Sequence, residues 1–201
     1  MENESVINGR IRDFSKSSDI IQTILIFAIA LLVPTFLGQI LKAIFPATSV
    51  VVTKSQLIIG SIVNTALIVS ALNLKGWSKI LGVVTMPSIA TILGGYVFTT
   101  SSPYMTWMIP AIWLGNFSLV YSYKYFKVAK EKNYFLAGIV GILVKVAIIF
   151  GYFSLLNVFN IFPQKLVTNL QTAMGLTQLI TATIGMFIAF VIYKAEVKNR
   201  E

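Results

Sequence analysis

The sequence predicts an all-α polytopic integral membrane protein, a bundle of six transmembrane helices, and three observations predict it. Of the 201 residues, 56% are hydrophobic and 11% charged, with a mean hydropathy of +0.81, whereas soluble domains carry roughly 45–50% apolar and about 25% charged residues. The apolar residues gather into six blocks, each near the ~20 residues that a helix needs to cross the hydrocarbon core. The basic residues segregate to alternate connectors between those blocks, as the positive-inside rule requires.

The blocks cover 20–41, 57–72, 80–98, 107–123, 135–158 and 174–193. The first follows a polar segment, 1–19, and precedes Pro46 and an apolar connector, with no Ala-x-Ala site behind it, so it reads as a retained helix and not as a cleaved signal. Residues 57–72 form the shortest block and 135–158 the longest. Pro34, Pro87 and Pro110 fall within or near the ends of three blocks, where a missing amide donor bends a helix and frees a carbonyl. Ala137 and Gly141 in the fifth block, and Thr181, Gly185 and Ala189 in the sixth, recur at four-residue spacing. Small residues then share one helix face, which lets backbones approach closely. The tail, 194–201, is polar, and 20–193 reads as one membrane domain.

Orientation comes from the sixteen Lys and Arg. With the N-terminus cytoplasmic, the inner segments hold Arg10, Arg12, Lys16, Lys75, Lys79, Lys124, Lys127, Lys130, Lys132, Lys194, Lys198 and Arg200, and the outer connectors hold Lys42, Lys54 and Lys165. That bias predicts a multi-pass protein of the cell (plasma) membrane with both termini in the cytoplasm. The net charge of +9 is then explained by topology and the anionic inner leaflet of the lipid bilayer, with no nucleic-acid partner required. The outer connectors 42–56, 99–106 and 159–173 carry Pro46, Pro103, Pro163 and many Ser, Thr, Asn and Gln. Such loops either hold binding residues or serve as plain connectors with an interfacial aromatic belt.

Much chemistry is excluded by composition. The chain has no Cys and no His, which removes thiolate nucleophiles, Cys/His zinc sites and Ser-His triads. The acids Glu2, Glu4, Asp13, Asp19, Glu131, Glu196 and Glu201 all fall in cytoplasmic segments or at the entrance of the first block. Carboxylate pairs, carboxylate-bound metals and intramembrane proton relays are therefore not expected, and no Gly-x-x-x-x-Gly-Lys-Ser/Thr loop cradles a nucleotide. The expectation is a protein that is not an enzyme and needs no metal or cofactor, with any energy from ATP entering through another subunit.

The informative residues are the polar ones inside the apolar blocks. Lys145 sits mid-way along the fifth block, where a charge costs about 2.5–3.5 kcal/mol on insertion scales. It must face protein or a cavity, as an anion contact or as a structural lysine bonded to neighbours such as Asn64 or Asn116. Asn64, Asn116 and Gln178 come from three further blocks and act either as interhelical glue or, with Lys145, as the floor of a cavity. Trp107, Tyr96 and Tyr152 are the candidate aromatic contacts, with Gln39, Gln56 and Asn157 higher on the walls; each is equally readable as an interface anchor.

The runs Gly60-Ser-Ile-Val-Asn64, Gly82-Val-Val-Thr-Met-Pro87, Ile109-Pro-Ala-Ile-Trp-Leu-Gly-Asn116, Val144-Lys145 and Leu176-Thr-Gln178-Leu-Ile-Thr-Ala182 resemble the substrate-binding (S) components of energy-coupling factor (ECF) transporters. The resemblance implies a six-helix bundle with an outward-facing site for a vitamin or similar small-molecule micronutrient. It also implies a transmembrane coupling subunit and two cytoplasmic ATPase subunits as partners. One departure stands out: the first block reads Phe27-Ala28-Ile29-Ala30-Leu31, without the Ala-x-x-x-Ala surface that many such proteins use for docking. The alternatives are a structural or assembly membrane protein with no transported ligand, and a stand-alone facilitator.

Overall fold

The computed structural model describes residues 9–11, 14–94 and 102–198, and among them every regular element is helical. The first helix, α1 (Lys16–Ile44), starts where Ser15 accepts a hydrogen bond from the Ser18 amide and Asp19 sits in the first turn; both features satisfy the positive end of a helix. Midway, Val33–Leu37 is wound as a π-helix. Pro34 supplies no amide donor at this point, and a wider i→i+5 turn absorbs the break; Thr35 Oγ1 donates to Leu31 O at 2.6 Å beside it. A short helix α2 (Val50–Thr53), capped by Ser49, leads into α3 (Ser55–Asn73). The turn into α4 (Trp77–Gly94) passes through Gly76 at φ +97, a left-handed conformation that glycine adopts without penalty.

After α4 the chain resumes at α5 (Ser102–Met105), passes through one 3-10 turn, Thr106–Met108, and continues as α6 (Ile109–Ser122). A second π-helical stretch, Tyr123–Ala129, prolongs α6 without a break. The longest uninterrupted α-helix, α7 (Tyr134–Val158), is opened by Asn133, whose side chain accepts from the Phe135 and Leu136 amides at 2.8 and 3.4 Å. Then come α8 (Gln164–Met174) and α9 (Leu176–Lys198), hinged at Gly175. The sequence treats 159–173 as a connector; α8 is instead an amphipathic helix that buries Leu170, Ala173 and Met174 against α7 and α9.

Among the described residues, four helices are long and apolar enough to cross a membrane: Lys16–Ile44, Ser55–Asn73, Tyr134–Val158 and Gln164–Lys198. They contain four of the six expected blocks. The expected blocks 80–98 and 107–123 fall on α4 and α6, which are helical but outside that set. The former runs into residues outside the described range, and α6 alone has 14 residues, or about 21 Å at 1.5 Å per residue against the ~30 Å hydrocarbon core. Large apolar side chains coat the outside of the bundle, among them Ile24, Leu25, Leu114, Leu143, Leu155 and Val191. The most buried apolar window belongs to α3, at 61% against 17% for α1, which makes α3 the central helix.

The face of small residues does what its spacing predicts. Thr181, Gly185 and Ala189 are all buried and pack α9 against α3 so closely that a Cβ on Gly185 would lie 2.7 Å from Asn64 Cβ and 2.9 Å from the Thr65 amide. Ala137 and Gly141 do the same for α7 against α6, where a Cβ on Gly141 would meet Leu119 and Ser122 at 3.0 Å. Two cores result. One runs between α1, α3, α4, α6, α7 and α9, and the other joins Met105, Met108, Ile149, Phe153, Phe162 and Met174 under α8.

Candidate functional site

Close packing of α3 on α9 sets Asn64 opposite α7, and there it meets Lys145. The Lys145 Nζ donates to Asn64 Oδ1 at 2.5 Å, and both residues are 2% exposed. Asn64 is itself oriented by its amide nitrogen, which donates to Gly60 O at 2.8 Å and to Thr181 Oγ1 at 3.3 Å. Thr181 passes its own hydroxyl proton to the Thr177 carbonyl at 2.8 Å. The chain of bonds thus fixes the Asn64 oxygen toward α7. An ammonium has three donors, and among the described residues Lys145 has one acceptor, Asn64. The described acids Asp19, Glu131 and Glu196 engage other groups or lie at the far end of the bundle, Asp19 with Arg10 and Lys79 and Glu196 with Asn73.

Lys145 and Asn64 form part of the wall of a cavity of about 90 Å³, shared with Pro34, Gln56, Gly60, Pro87, Ile112, Asn116 and Gln178. It lies toward the bundle end that carries the 45–55 and 159–175 connectors, since Gln56 and Gln178 open α3 and α9. Two helix-interior prolines flank it. Beside Pro87, Asn116 Nδ2 donates to Val84 O at 3.3 Å, a side-chain bond that ties α6 to the proline-bearing turn of α4. At Pro34 the π-helical turn turns the buried proline ring inward, and π-turns recur at functional sites.

Of the expected site residues, the structure brings together Lys145, Asn64, Asn116 and Gln178, with Gln56 on the wall as expected, whereas Gln39 and Asn157 are not among the lining residues. Trp107 does not join them: it is 55% exposed. Tyr152 lines a separate, apolar groove with Pro110, Leu114, Ile148 and Leu155. Tyr96 lies outside the described residues. Pro34 and Pro87 enter the site through helix distortion, the role that their position inside apolar blocks already signalled.

A second buried lysine was missed. Lys124, which the sequence places in a cytoplasmic segment, is fully buried just past α6. Its Nζ donates to Gly9 O and Leu74 O, each at 2.6 Å, and the Ile11 amide donates to Leu72 O at 2.9 Å. The N-terminal segment is thereby tied across the end of α3. Burial, and secondarily the Arg10 charge, push the Lys124 ammonium down to about 7; removal from water disfavours the charged form.

Fold and site together define a protein that is all-helical among the described residues, with membrane-compatible spans and a small cavity toward one end, into which Lys145, Asn64, Asn116, Gln56 and Gln178 project among apolar residues. The chain matches no family model, no curated protein and no solved structure.

Proposed function

We propose that this chain is the membrane-embedded, substrate-binding subunit of an ATP-driven importer of a vitamin-like micronutrient, as its resemblance to ECF S components implies. In this reading all six apolar blocks cross the cell membrane, with α4 and the continuous helical path through α6 completing the set. Both termini are cytoplasmic, and the cavity faces outward. A transmembrane coupling subunit and two ATPases supply the energy. The observation that carries the reading is Lys145: a fully buried lysine side chain at the wall of a cavity, opposite an amide and not a carboxylate. A buried cation is tolerated when acceptors surround it, and a ligand carboxylate or phosphate supplies the acceptors that the protein does not. The cavity is smaller than the roughly 300–1,000 Å³ of small-molecule sites, so ligand entry requires the wall to open and the Lys145–Asn64 bond to be exchanged for a ligand bond.

The test is native mass spectrometry of the detergent-purified chain expressed in its own host. A co-purifying small anion together with three further subunits, lost in Lys145→Met, supports the importer. A folded chain that carries neither overturns it. One observation favours the other reading, a structural membrane protein: the Lys145–Asn64–Thr181 chain of bonds ties α7, α3 and α9 without any ligand. That reading predicts that Lys145→Met changes stability and nothing else.

A further inference from the structure

The bundle end opposite the Lys145 cavity carries a groove of about 490 Å³ between the close of the π-helical stretch, the start of α7 and the end of α9. Three lysines rim it, Lys127, Lys132 and Lys194, each from a different segment. Two of them are held over aromatic rings. Lys127 Nζ lies 5.5 Å from the Tyr193 ring centre, and Lys194 Nζ lies 5.7 Å from that of Phe190. Such stacking limits where an ammonium points while leaving its donors open to a ligand. Glu131, at φ +50 in the bend, is the one acid in the rim, so the rim keeps an excess of positive charge.

Aromatic rings line the groove between the lysines. Phe135 and Phe190 line it with ring centres 4.8 Å apart, and Phe135 also touches Phe187 at 5.9 Å. Phe187 is exposed, as are Leu136 and Ile139 on α7 and Val191 on α9. Basic residues on a groove whose two bordering helices carry exposed apolar side chains match a molecule with an anionic head and hydrocarbon tails. Basic pockets between helices at the cytoplasmic surface bind such headgroups.

We propose that this groove is a binding site for an anionic phospholipid of the inner leaflet, with its phosphate held by Lys127, Lys132 and Lys194 and its acyl chains lying against α7 and α9. The site rests on the cytoplasmic placement of this end but not on the micronutrient reading, and its test needs no substrate. Delipidated protein in detergent is titrated with dioleoylphosphatidylglycerol, dioleoylphosphatidylcholine or glycerol 3-phosphate, and bound molecules are counted by native mass spectrometry. Phosphatidylglycerol should bind at one per chain and phosphatidylcholine much more weakly. The Lys127→Gln/Lys194→Gln variant should weaken phosphatidylglycerol binding about tenfold or more, while Lys16→Gln/Lys75→Gln, with the same change in net charge, leaves it unchanged. Glu131→Gln, which removes the opposing charge, should strengthen it. Equal binding of the two lipids, or equal loss in both lysine variants, would overturn the proposal. Displacement by equimolar glycerol 3-phosphate would do so too, because it would identify a free-anion site that makes no use of the apolar side chains on α7 and α9.

Discussion

Lys145→Met is the perturbation that separates a ligand-binding lysine from a structural one. Methionine is of similar length and apolar, so the cavity wall stays filled, and the loss is confined to the ammonium and its bond to Asn64 Oδ1. In the ligand-free protein the main cost is the orphaned Asn64 oxygen, about 1–3 kcal/mol for a buried acceptor. For a chain of this size that corresponds to a drop of roughly 2–10 °C in unfolding temperature. Replacing both partners, in Lys145→Met/Asn64→Leu, removes the orphan and should recover most of the loss. Ligand affinity behaves differently. A hydrogen bond to a charged group contributes about 1.5–3 kcal/mol, so both variants should bind the co-purifying small molecule about 10- to 150-fold more weakly. Detergent unfolding curves and equilibrium binding on the same preparations read the two effects apart. Unchanged affinity in a Lys145→Met protein that has lost stability would refute the role assigned to this residue.

Gly185→Ala should lower the unfolding temperature, by about 1–3 kcal/mol in stability, because the new methyl meets Asn64 Cβ and the Thr65 amide below 3.0 Å. Gly151→Ala, whose Cβ would have nothing within 4 Å, should be neutral or stabilising by up to about 1 kcal/mol. Lys124 gives the protein a pH dependence. The unfolded ammonium titrates near 10.5 and the folded one at about 7, so the folded state holds fewer protons between those values and stability rises with pH across that window. Unfolding temperatures measured from pH 7 to 10 should climb in the native protein and climb less steeply in Lys124→Met; an unchanged slope would remove Lys124 as a source. The chain has no cysteine, so single cysteines report topology directly. Lys165→Cys should react with an impermeant maleimide on intact cells and Lys130→Cys only after permeabilisation; the reverse pattern would invert the orientation.

Helices that are apolar all round are legible as apolar runs, which is why α1, α3, α7 and α9 coincide with the expected blocks. An amphipathic helix is not legible that way. In α8, Leu166, Val167, Leu170, Ala173 and Met174 follow a helical period, a signal that block counting passes over because half of the residues are polar. The site followed the same logic. Lys145, Asn64, Asn116 and Gln178 are costly in an apolar interior, and that cost drew them together. Aromatic residues carry no such cost. Tyr152 is seven residues beyond Lys145, on the same face but about 10 Å further along α7, and it opens on a different groove. Asn116 and Ile112 are four apart and face the cavity together, whereas Trp113 turns outward at 38% exposure. Depth within a block says nothing about rotation around the helix axis.

The two buried lysines explain why one is read as functional and the other as structural. Both are essentially without solvent exposure, and both need acceptors for their donors. Lys124 has two backbone carbonyls, Leu74 at the end of α3 and Gly9 in the N-terminal segment, and both belong to the chain. Its bonds hold the end of α3 in place, and a ligand there would have to displace protein backbone. Lys145 has one amide oxygen and an adjoining cavity. The carbonyls of its own helix are committed to the helix ladder, and an amide oxygen carries no charge with which to neutralise an ammonium. A lysine in that setting gains from an incoming anion, which supplies the negative charge that the Asn64 oxygen lacks and replaces one neutral bond in doing so. The same residue type at the same burial thus does opposite work, and the supply of acceptors decides which.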